Sequence, residues 1–196
     1  MQKAPLFRLT LFLLLASALF SPAAAETVDL TILHINDFHG NLLPKPGKEG
    51  KPATGGMARI AKMVAEEREK NPKGTILLSA GDMFQGTPIS NLFRGRPVIE
   101  TMNRMGFDAM TVGNHEFDWG MEAFQDLRKA ASFPFLSANI LDERGALLPG
   151  VKPYILIRKK GLKIAVIGIT TPETHYATKP ENLKGFRVAA VEKVLP

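Results

Sequence analysis

The sequence predicts an α/β fold, and three observations carry that prediction. Apolar runs of strand length alternate with stretches whose apolar residues recur at helical spacing. Three of these runs end in polar segments punctuated by glycine: Asn36-Asp37-Phe38-His39-Gly40, Gly81-Asp82 and Gly113-Asn114-His115. A hydrophobic content of 45%, with no internal repeat, low-complexity tract or linker, fits one globular unit.

Leu30 to Ile35 is the first strand, and a polar loop rich in proline and glycine follows from Pro44 to Gly56. Met57, Ile60, Ala61 and Val64 recur at helical spacing, and that helix stops before Asn71-Pro72. Thr75 to Ala80 forms a second buried strand. A short helix from Pro97 to Met105 has Gly106 as its stop, and Ala109 to Val112 forms the third strand. A further helix around Met121 to Ala131 places Phe124, Leu127 and Ala131 on one face, and Phe135 to Ile140 reads as a fourth strand. Tyr154 to Arg158 and Lys163 to Ile169 flank Lys160-Gly161 as a hairpin. Met57, Met63, Met102, Met105 and Met110 are expected to fill the core.

The first residues bear on compartment. Lys3 and Arg8 precede an apolar stretch from Leu9 to Phe20, and Ala23 and Ala25 supply the small residues of a cleavage site before Glu26. That order is a secretory signal peptide over residues 1–25, too short against the ~20 apolar residues of a membrane-spanning helix. The expected location is periplasmic or secreted, with no membrane attachment after cleavage. Loss of Lys3 and Arg8 lowers the formal charge from +6 to +4. Scattered over the chain, that excess is too mild for a nucleic-acid partner. No cysteine is present, so neither a disulfide framework nor thiol chemistry is available.

The chemistry-bearing residues stand at strand ends. Side chains two apart on an extended strand share a face, so Asp37 and His39 can reach one ion, although such a pair is also common on surfaces. His34 has the opposite parity and reads as a core histidine. Asp82 follows the second strand within Gly81 to Gly86, and a lone Asp there also serves as a cap. Asn114 and His115 follow the third strand, with Asp118 three residues on. In parallel sheets the carboxyl ends of the strands line the ligand crevice. Oxygen ligands mixed with imidazole suit a Zn, Mn, Fe or Co ion, and the two carboxylate oxygens of Asp82 can bridge two ions. Two ions about 3.5–4 Å apart would support displacement at phosphorus.

The blocks Ile32 to Gly40, Gly55 to Ile60, Ser79 to Pro88 and Val112 to Gly120, in this order, resemble the 5'-nucleotidase family of calcineurin-like metallophosphoesterases. Phe133 to Ile140 and Gly161 to Thr174 extend the resemblance over nearly all of Val28 to Pro172. It implies a four-layer α-β-β-α sandwich, of which residues 26–196 are the N-terminal, truncated part. Two divalent metal ions are implied, with Asp37 and His39 on one, Asp82 bridging and Asn114 on the second. His115 and Asp118 then form the catalytic dyad, while Glu116 and Phe117 are structural. For His115 the alternatives are a third metal ligand or a core histidine.

The implied substrate is a small nucleotide or other phosphate ester. Cyclic-nucleotide phosphodiesterases, UDP-sugar hydrolases and a thiosulfohydrolase share the same blocks. Family members take further metal ligands from two later segments and carry a separate substrate domain, none of which stands in these residues. His175 matches neither segment and reads as a loop residue. Residues 26–196 alone are therefore expected to be inactive, and a non-catalytic, metal-poor module is the alternative reading.

Overall fold

A computed structural model describes residues 27–48 and 50–195. The signal-peptide segment and its cleavage site before Glu26 lie outside the described residues. Strands β1 (Thr31–Ile35), β2 (Thr75–Ser79), β3 (Ala109–Thr111) and β4 (Phe135–Leu136) form one parallel sheet in chain order. The helices between them are α1 (Met57–Lys70), α2 (Pro88–Leu92), α3 (Arg96–Met105) and α4 (Gly120–Ala130). Because strand order follows chain order, each crossover steps the same way, and right-handed crossovers gather α1, α3 and α4 side by side on one face. That interface holds the core: Met57, Val64, Leu77, Ile99, Met102, Met110, Phe124 and Phe135 are all buried.

Local chemistry explains the boundaries. Pro97 stands at the start of α3, where its missing N–H costs no hydrogen bond, and Gly106 closes the helix in the left-handed region at φ 67°. The five-residue α2 was not expected from periodicity, since one turn is too short to show any. β6 (Tyr154–Lys159) and β7 (Leu162–Ile167) form the expected hairpin, with positive φ at both Lys160 and Gly161.

Three expectations are corrected. The run Phe135 to Ile140 is not one strand. β4 ends at Leu136 and β5 (Ile140–Asp142) pairs antiparallel with β8 (Phe186–Val188), past a short helix α5 (Thr174–Ala177). The break is held by the buried Asn139 carboxamide, which donates to the carbonyls of Thr170 and Ala189 at 2.7 and 3.0 Å and accepts from the Thr170 amide at 2.9 Å. Local side-chain bonds of this kind displace ladder pairing.

His34 is exposed and not in the core, because β1 is the edge strand and its face bearing Ile32, 58% exposed, is uncovered. Met63 likewise is 64% exposed, on the side of α1 that borders the open groove beside Leu33, His34 and Ile35. No helix among the described residues is long and apolar enough to cross a membrane.

Candidate metal centre

The parallel sheet brings the ends of β1, β2 and β3 to one edge, which is where the sequence placed its polar residues. The way Asp37 and His39 arrive there differs from the expected strand parity. β1 stops at Ile35, and both residues adopt left-handed conformations, with φ of 50° and 49°. Asp82 does the same at φ 54°. Left-handed backbone is uncommon outside glycine and costs of order 1 kcal/mol or more per residue, so it persists only where the surroundings enforce it. Here the main chain enforces it: the amides of Asp37, His39 and Gly40 donate to the carbonyls of Gly81, Asp82 and Met83 at 3.1, 3.1 and 2.9 Å. Pairing between the two chain segments thus continues past the strands through a turn.

The turn orients His39. Its Nδ1 lies 2.9 Å from the Gln85 carbonyl, which can only accept, so Nδ1 carries the proton and Nε2 is left with its lone pair. Gly86 is required beside it, since a Cβ there would overlap the His39 backbone. His39 Nε2 lies 3.8 Å from Asp37 Oδ1, and Asp37 is 61% exposed, its other oxygen accepting from the Asn36 carboxamide at 2.6 Å.

His115 opens a single 3-10 turn, His115–Phe117, with Asn114 as its cap. Its Nδ1 is 2.7 Å from Asp118 Oδ2, and the Asp118 carbonyl is held by the Asn182 side chain at 3.2 Å. Burial works against the charged ring, but the hydrogen bond and charge of Asp118, with the charges of Asp82 and Glu116, hold its pKa above the ordinary histidine value. The Asn114 carboxamide has no hydrogen-bond partner among the described residues.

One donor atom each from His39, Asp82 and His115 lie within 4.8 Å of one another, and the two rings meet edge to face at 4.9 Å. Two imidazoles and a carboxylate converging in this way fit a divalent ion of the Zn, Mn, Fe or Co class. The cluster contains His39 and Asp82 from the expected ligands. It adds His115, expected in the dyad, while Asp37 stands beside it against His39. His175 is exposed on α5, its ring against Tyr176.

The sequence assigned Glu116 and Phe117 structural parts without the contacts that define them. Glu116 is buried to 1% exposure, with its carboxylate on three main-chain amides, whereas Phe117 stacks on Phe124 at 4.8 Å as ordinary core. An acidic residue between His115 and the apolar Phe117 was the available signal.

Residues 30–187 match the calcineurin-like phosphoesterase family. Over 173 residues the chain is 41% identical to a snake venom 5'-nucleotidase from Crotalus adamanteus, covering 84% of this chain and 29% of that protein. A solved structure of an NAD nucleotidase from Haemophilus influenzae aligns with a TM-score of 0.73 and 34% identity, over 85% of this chain and 30% of that one. A 5'-nucleotidase precursor from Thermus thermophilus aligns with a TM-score of 0.72 and 33% identity, over 84% and 32%. The chain spans 26–32% of the length of the curated relatives it matches.

Proposed function

The chain belongs to the calcineurin-like phosphoesterase family, and from that premise we propose that the whole protein is an exported two-metal hydrolase of phosphate esters or anhydrides, with nucleotides as its substrates. The observation that carries the proposal is the convergence of His39, Asp82 and His115 within 4.8 Å at the carboxyl edge of the parallel sheet. The relatives' nucleotidase descriptions support the substrate class. In this reading the complete domain is a four-layer α-β-β-α sandwich.

Asp37 and His39 would hold one ion, Asn114 the second, and Asp82 would be shared between them. Bound there, the ions supply charge neutralisation and water activation at phosphorus. The remaining steps belong to the side chains. Nδ1–H donation to Gln85 fixes His39 with Nε2 toward the centre. Asp118 holds His115 Nδ1, so Nε2 is the nitrogen free to donate to a phosphoryl oxygen as charge builds on it.

Phosphate release from AMP by the purified protein, measured with added Mn²⁺ and again after chelation, tests this reading. Release that needs Mn²⁺ is expected. Turnover unaffected by chelation, or no release from any nucleotide by the complete protein, would overturn it.

A further inference from the structure

Glu116 stands out because its carboxylate serves neither the ion cluster nor the dyad directly, yet it is buried and fully engaged. Its Oε2 accepts from the amides of Asp82 and Gly113 at 2.9 and 2.6 Å, and its Oε1 accepts from the Met83 amide at 2.9 Å. The bonds also run the other way, for Asp82 Oδ1 accepts from the His115 amide at 3.0 Å. The loop of Asp82 thus donates two main-chain amides to Glu116, and the loop of Glu116 donates one to Asp82. Three of these bonds cross between the loops, and with the Gly113 amide, which bonds within its own loop, two side chains satisfy four amides, a larger version of the reciprocal bonding of a capping box.

We propose that Glu116 is a positioning residue for the metal centre: it clamps the loop bearing Asp82 to the loop bearing Asn114 and His115 and holds Asp82 in its left-handed conformation. The inference rests on the metal-centre reading above. Three features make Glu116 the part that matters. Asp82 at φ 54° has no glycine-like freedom; main-chain pairing with His39 and Gly40 holds the carbonyls of Asp82 and Met83, and the Glu116 carboxylate adds an anchor on the amides of the same two residues. The space is closed, since a Cβ on Gly113 would lie 2.8 Å from Glu116 Oε2 and from the Asp82 amide and would overlap the Asp82 carboxylate. The chemistry is also specific. Three N–H donors call for an acceptor with two oxygens, and a carboxamide offers only one while turning its NH₂ toward a donor.

Glu116→Gln keeps the shape and removes one acceptor, so Mn²⁺ affinity is expected to fall by ~10–100-fold, the range for groups that orient ligands. Calorimetric Mn²⁺ titration of wild type and variant, beside their thermal midpoints, measures it. Equal Mn²⁺ affinity in a folded Glu116→Gln protein overturns the clamp, even if its midpoint drops, because a merely structural role lowers stability alone. Wild type that binds no Mn²⁺ removes the metal-centre reading together with this inference. Should the variant fail to fold, amide hydrogen exchange on metal-free wild type decides. Slow exchange at Asp82, Met83 and Gly113 is expected of a clamp formed before metal arrives, and rapid exchange at all three overturns it.

Discussion

His115 Nδ1 lies 2.7 Å from Asp118 Oδ2, three residues on, so a single 3-10 turn both presents the imidazole and fixes its orientation. The ring is thereby committed at one nitrogen, with the other available. His115→Ala is expected to leave bound metal in place and to lower kcat by ~10²–10⁴, the usual range for a positioned acid–base group. Asp118→Asn should give a smaller loss in the same direction, because the ring stays and only its orienting partner changes. Metal analysis beside kinetics checks both variants, and a His115→Ala protein that has lost metal would make this residue a ligand, as its place in the 4.8 Å cluster also allows.

Asp82 should behave differently from His115. In the proposed arrangement Asp82 would be shared by two ions, so Asp82→Ala is expected to lower metal content and activity together. Elemental analysis of the purified variant measures this, and full metal content would rule out the bridging role.

Gly113→Ala tests packing at the same point without replacing a polar side chain. Its new Cβ would meet the Asp82 carboxylate, with the Glu116 carboxylate 2.8 Å away, so one loop must give. Weakened Mn²⁺ binding is expected, with the core of Met102, Met110 and Phe124 unaffected. Calorimetry and the near-ultraviolet circular dichroism of the variant report the two separately.

The metal-free protein should lose stability as pH rises toward neutrality. Burial first, then the charge of Asp82, push the Glu116 carboxyl from 4.5 up to about 7, against the three amide bonds that favour its ionised form. His115 is also raised from 6.5, because its carboxylate neighbours outweigh burial. Both groups hold protons more tightly folded than unfolded. Their contribution to stability is therefore fully present below the unfolded values and lost as pH climbs through the folded ones. Thermal midpoints in chelator are expected to fall between pH 4.5 and about 7, and Glu116→Gln should flatten that slope. A midpoint that rises over this window would contradict it.

Export makes a separate prediction. Protein recovered from the cell envelope should begin at Glu26, as N-terminal sequencing would detect, whereas a mature chain that keeps Met1 would exclude cleavage.

Much of the fold was legible in the residues themselves. The spacing of Met57, Ile60, Ala61 and Val64 specified α1, Pro97 and Gly106 bounded α3 closely, and Lys160-Gly161 marked the hairpin turn. The sequence also placed Asp37, His39, Asp82, Asn114 and His115 at strand ends, and parallel order then had to bring those ends to one edge. These features are local, set by side chains a few positions apart acting on their own backbone. Only tertiary structure decided the rest. The left-handed turns at Asp37, His39 and Asp82 depend on main-chain partners in a distant segment, the Gln85 carbonyl lies 46 positions from His39, and Glu116 lies 34 and 33 positions from the amides of Asp82 and Met83. The uncovered face of β1 and the break at Asn139 have the same origin, because an edge strand and a buried carboxamide are defined by neighbours that periodicity does not reveal.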